Sequence, residues 1–113
     1  MKDLLIETLN VFNYPIYQQG SMAEEEPYPD HFFTFWNNDS YDDGFYDNKK
    51  HRTIWNFELN FYSIDPMLVN EIFIKVKELL KEKKFFIDGN GHDVVSDEKT
   101  HTGRGINVLA LEK

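Results

Sequence analysis

A chain of 113 residues with 41% hydrophobic, 16% aromatic and 28% charged residues is long enough for one domain with one modest core and too apolar to stay disordered. It contains no cysteine, which excludes disulfide frameworks, thiolate metal sites and a cysteine nucleophile and suits a reducing compartment. The net charge of −8 works against sequence-specific nucleic-acid binding, because affinity for phosphate needs clustered Lys and Arg.

Leu5, Leu9 and Phe12, with Leu4 and Ile6 alongside, have the spacing of a short amphipathic helix over residues 3–12, which Asn13 and Pro15 end. Asp3 and Glu7 in the same stretch, and the lack of a long apolar run, are unlike an export signal. Tyr14-Pro15-Ile16-Tyr17-Gln18 is rich in strand formers, and its proline confines that strand to a sheet edge. Residues 20–29, with three consecutive glutamates and Pro27-Tyr28-Pro29, read as an exposed loop. His31-Phe32-Phe33-Thr34-Phe35-Trp36 is an aromatic run of strand length, and the polar residues from Asn37 to Asn48 are predicted to form a long connection after it. Thr53, Trp55, Phe57, Leu59 and Phe61 then alternate with Ile54, Asn56, Glu58, Asn60 and Tyr62, a strand with one core face and one largely polar face.

Asp65-Pro66 is a helix start, with Asp65 as N-cap and Pro66 at the first helical position. Val69, Ile72, Phe73, Val76, Leu79 and Leu80 make the apolar stripe of that helix. Lys75, Lys77, Lys81, Lys83 and Lys84 occupy the remainder and the C-terminal turn, where the helix dipole favours cations. Phe85-Phe86-Ile87 is a short strand, Asp88-Gly89-Asn90-Gly91 supplies turn residues, and Asp93-Val94-Val95-Ser96 is a further strand segment. Gly103-Arg104-Gly105 reads as a bulge or turn before a last strand over residues 106–111. The expected architecture is a single α+β domain spanning residues 1–113, in the order α-β-β-β-α-β-β. Its sheet is antiparallel or mixed, of about four to five strands, with two helices packed on one face. No stretch approaches the ~20 consecutive apolar residues of a membrane helix, so no membrane partner is expected.

Catalytic and metal signatures are missing where their chemistry would need them. From Asp88 onward a calcium loop would have Asp93 where the turn needs glycine and Lys99 where it needs glutamate. His31, His51, His92 and His101 show no zinc-binding spacing, and Ser21, Ser40, Ser63 and Ser96 have no glycine-flanked elbow. Gly103-Arg104-Gly105 lacks the third glycine and following helix of a dinucleotide site. These absences favour a non-enzymatic protein without a cofactor.

The negative charge is unevenly placed, since Glu24, Glu25, Glu26, Asp30, Asp39, Asp42, Asp43 and Asp47 occur with no Lys or Arg between Lys2 and Lys49. Within that region Asp39, Tyr41, Asp42, Asp43, Phe45, Tyr46 and Asp47 mix carboxylates with aromatic rings. In an exposed connection that mixture is a candidate partner-binding surface, the competing reading being aromatics folded back onto the sheet.

The blocks Tyr14-Pro15-Ile16-Tyr17-Gln18-Gln19-Gly20, Tyr28-Pro29-Asp30-His31-Phe32-Phe33-Thr34-Phe35-Trp36-Asn37-Asn38 and Trp55-Asn56-Phe57-Glu58-Leu59-Asn60-Phe61-Tyr62-Ser63 resemble small tail proteins of prophages and long-tailed phages of Gram-positive bacteria. Phe45-Tyr46-Asp47-Asn48 and the run from Ser96 to Gly105 extend the resemblance over nearly the whole chain. The element order is similar to that of phage tail-terminator, or tail-completion, proteins. This resemblance implies a structural subunit that assembles with copies of itself into a six-membered ring, caps the tail tube, and meets the tube protein on one side and a head-side connector protein on the other. It implies residence in the virion tail after assembly in the host cytoplasm. A head-tail connector or a minor tail subunit is the alternative within the same setting; an acidic DNA mimic that inhibits a host enzyme is the alternative from another class. On the terminator reading, residues 39–47 form the lumen- or partner-facing loop, and Lys75, Lys81 and Arg104 are the candidate ring contacts. Carboxylates lining the lumen would repel DNA phosphates and ease passage.

Overall fold

The strand expected from the alternation at residues 53–62 stands at the centre of the sheet. In a computed structural model, which describes residues 2–18, 29–43, 52–83, 85–94 and 100–112, the elements are α1 (Lys2–Leu9), a 3-10 turn (Asn10–Phe12), β1 (Ile16–Gln18), β2 (His31–Asp43), β3 (Arg52–Ser63), α2 (Pro66–Glu82), β4 (Phe86–Val94) and β5 (Thr102–Glu112). The five strands lie in the order β1-β2-β3-β5-β4. β1 is parallel to β2 and every other neighbouring pair is antiparallel, so the sheet is mixed. The fold is the expected α+β arrangement, with helices on one sheet face.

Both helices form for the reasons legible in their sequences. Leu5 and Leu9 of α1 are fully buried in the core, and Phe12 packs against it from the 3-10 turn. Asn13 then takes a left-handed conformation at φ 60, which an Asn tolerates better than most side chains. Asp65 caps α2 by accepting the Met67 N–H at 3.0 Å, and Pro66 follows at the first helical position. Val69, Ile72, Phe73, Val76 and Leu80 turn inward against Phe33, Phe35, Phe57, Leu59, Ile106 and Val108 of the sheet. Each such side chain contributes about 1.5–3 kcal/mol when fully buried. Buried Ser63 knots three elements together, because its hydroxyl accepts the Asp65 N–H at 3.0 Å and meets Nδ1 of His31 at 2.7 Å.

β1 is a three-residue edge strand, as Pro15 requires, and the Pro15 carbonyl accepts the Phe33 N–H at 2.8 Å just before it. Three other segments differ from expectation. β2 does not stop at Trp36 but runs to Asp43, pairing Asp39 with Asn56, Tyr41 with Ile54, Asp42 with Thr53 and Asp43 with Arg52. A register shift between Asn37 and Asp39 leaves Asn38 over, and the strand-forming residues Thr53, Ile54 and Trp55 opposite supply the ladder that this polar segment could not nucleate alone. Asp88-Gly89-Asn90-Gly91 does not turn the chain. It is an irregularity inside one continuous β4, where β4 advances four residues from Asp88 to His92 while β5 advances two from Asn107 to Gly105. The extra length is taken up at Gly89 and Gly91, with φ +79 and +88. Gly103-Arg104-Gly105, expected as a break, lies within β5 and pairs with Tyr62, Phe61 and Asn60 of β3.

Candidate functional site

The residues expected to form one acidic aromatic loop are divided by the fold. Asp39, Tyr41, Asp42 and Asp43 belong to the far end of β2, and Phe45, Tyr46 and Asp47 lie outside the described residues. The ring-contact candidates are also separated. Lys75 and Lys81 are exposed on α2, and Lys75 lies 3.7 Å from Glu71 one turn earlier. Arg104 instead turns to the helix side of the sheet, where its guanidinium lies 5.3 Å from the centre of the Phe73 ring and donates to Asp93 at 3.0 Å. Its head group is engaged within the molecule, so its first role is to bind β5 and β4 to α2.

The opposite face of the sheet carries no helix among the described residues, and the sequence reading did not single it out. Phe32 is buried there by its neighbours, stacked on Tyr62 at 5.1 Å and met edge-on by Tyr17 at 6.0 Å and His101 at 5.8 Å. His101 is fixed by donating from Nε2 to the Pro29 carbonyl at 2.8 Å, with Nδ1 3.0 Å from the Thr100 hydroxyl. Next to this aromatic group runs a lane without side chains, made by Gly103 and Gly105 on β5. A Cβ on Gly103 would stand 2.6 Å from the Tyr62 ring, and one on Gly105 would meet Oδ1 of Asn60 and stand 2.9 Å from Oε1 of Glu58.

Those two polar side chains lean into the space the glycines leave. Glu58 and Asn60 are only 7% and 1% exposed, and Glu58 is held at 2.9 Å by Nε2 of His92. Oδ1 of Asn60 is buried with no hydrogen-bond partner, an arrangement that normally costs about 1–3 kcal/mol. The lane is therefore rich in acceptors. The available signal in the sequence was the pair of glycines two residues apart in a strand, which leaves one face bare at consecutive positions.

At one end of this face the surface becomes apolar. Phe86 pairs with Leu109, Leu111 pairs with Ile54, and Phe86 and Leu111 are 55% and 37% exposed. Asp88 is exposed two residues along β4 from Phe86. On the other side of the molecule, α2 presents Met67 and Ile74, 80% and 60% exposed.

Among the described residues no three His, Asp or Glu side chains are grouped to hold a metal ion, and no helix is long and apolar enough to cross a membrane. Compared with models of known protein families and with curated proteins, the chain matches none.

Proposed function

We propose that this chain is a structural phage tail protein, a tail terminator whose copies form a ring on the tail tube and join it to the head. The observation that carries the reading is the layered asymmetry of the fold: both helices cover one face of a five-stranded sheet, and the opposite face lacks a covering element among the described residues. A subunit with two unlike faces suits head-to-tail contacts, which generate rings when the rotation closes. The element order α-β-β-β-α-β-β, which the terminator resemblance implies, agrees with the order of α1, β1, β2, β3, α2, β4 and β5. A head-side connector and a minor tail subunit share this logic and differ in what the deleted phage should lack.

The test is deletion of the gene in the phage or prophage that carries it, followed by negative-stain electron microscopy of induced lysates. Filled heads beside detached tails, some of overrun length, are the expected result. Intact virions with normal tails would remove the tail role and favour an inhibitory acidic protein. Replacement of Asp39, Asp42, Asp43 and Asp47 by Asn tests the lumen role separately. DNA delivery should fall while tails still assemble, and unchanged delivery would count against acidic lining of the passage.

A further inference from the structure

Met67, Ile74 and Lys81 are spaced seven residues apart on α2, so they form a nearly straight line along the helix, drifting by only about 20° per step. Met67 and Ile74 are the two most exposed large apolar side chains that α2 carries, and Lys81 is exposed in its last turn. The sheet face that carries no helix among the described residues offers the complementary set: Phe86, Leu109, Leu111 and Ile54 are adjacent through strand pairing, with the carboxylate of Asp88 at their margin. We infer that these two patches bind one another between copies, α2 of one protomer lying across the Phe86–Leu111 patch on the sheet of the next. The inference rests on the ring reading and names the surfaces that would build it.

Spacing and charge both fit this pairing. Ile74 and Lys81 are separated by about 10 Å of helix rise, and from Leu109 to Asp88 is one strand across and two residues along, about 8 Å. A lysine stem spans the remainder. When Ile74 rests on the Leu109–Leu111 side chains, the Lys81 ammonium reaches the exposed carboxylate of Asp88. A second copy therefore brings a cation to the exposed Asp88 carboxylate, together with apolar surface to cover Phe86 and Leu111. Because the patches lie on opposite sides of the sheet, a single contact leaves the sheet patch of one protomer and the helix patch of the other unfilled. The contact is heterologous and continues beyond a dimer.

The absence of cysteine makes the test direct. The double variant Ile74→Cys with Leu111→Cys, oxidised at about 1 mM protein, where even a contact of about 1 mM Kd is more than about one third formed, should give a ladder of dimers, trimers and larger species. Each single-cysteine variant should stop at dimers. The double variant Val11→Cys with Leu111→Cys, using an exposed apolar side chain outside both patches, should react about tenfold more slowly, since a preformed contact raises the effective concentration of the thiols. Lys81→Asp, introduced into the Ile74→Cys, Leu111→Cys chain, should suppress the ladder, and adding Asp88→Lys should restore it. A ladder no faster than that of the Val11 control, or one indifferent to the charge exchange, overturns the contact. Detached tails on gene deletion together with no specific ladder would leave the terminator role standing and assign its ring to other surfaces. A specific ladder with normal virions would keep the contact and remove the tail role.

Discussion

On one side of the sheet Phe33, Phe35, Phe57 and Val108 are buried by two helices, whereas on the other Phe32, Glu58 and Asn60 are buried with no helix over them among the described residues. The first side is filled by added volume: helical stripes of Leu, Val, Ile and Phe come down onto strand residues. The second is filled through subtraction, because Gly103 and Gly105 remove side chains and Tyr62, Glu58 and Asn60 lean into the gap. Burial of the first kind tolerates changes of shape but not loss of volume. Burial of the second kind should be sensitive to a single added methyl group.

The largest expected effect breaks the helix side. Phe57→Ala removes a fully buried ring facing Phe35 and Trp55 and should cost about 3–5 kcal/mol in urea unfolding; a loss below about 1 kcal/mol would mean that the core relaxes into the void. The next sharpens the contrast on the open side. Gly105→Ala should cost about 1–3 kcal/mol as Asn60, Glu58 and Val94 are pushed aside. Gly89→Ala, which meets nothing within 4 Å but keeps φ +79, should cost only the backbone strain of about 1–2 kcal/mol. Crowding and strain can be separated with Asn60→Ala, Gly105→Ala together. That pair should recover part of the Gly105→Ala loss, and strict additivity would show that Asn60 is not what the methyl group strikes. The smallest effect is on the outer surface of α2. Lys75→Ala should change stability by less than about 0.5 kcal/mol, since its Glu71 partner is 3.7 Å away and both are well exposed. A larger change in the isolated protein would show that Lys75 does more than pair with Glu71.

Local chemistry made the helix side readable in advance. The cap formed by Asp65 and Pro66, the stripe from Val69 to Leu80 and the alternation about Phe57 each depend on neighbours within a few residues, and each is found as expected except that Leu79, counted in the stripe, is only half-buried and lies outside the core cluster. The misread segments depend on partners far along the chain. Asn37 to Asp43 is too polar to signal a strand and becomes one because β3 offers it a ladder. Gly103 and Gly105 look like a break until Asn60 and Tyr62, more than forty residues earlier, are placed beside them. The candidate site divides in the same way: charge composition marked the acidic segment, but which of its residues belong to a strand is decided by pairing. The open-face patch around Phe86 and Leu111 was hidden because their periodicity describes one strand at a time, and the patch spans three.

The position of β5 also governs the order in which the protein can be built. It follows β4 in the chain but inserts between β4 and β3. During synthesis β2 and β3 can pair as soon as both have emerged, and α2 can settle on them. β4 emerges next and can touch α2, but it has no described strand partner until residues 102–112 arrive. Joining β5 to β3 closes a segment of nearly forty residues, from Ser63 to Thr102, an entropic step that grows only logarithmically with length but must precede the reward of the new ladder. The nascent chain therefore passes through a stage in which one edge of β3 is bare and β4 is unpaired. That stage, before the last-inserted strand completes the sheet, is when the chain is most open to pairing with another copy of itself.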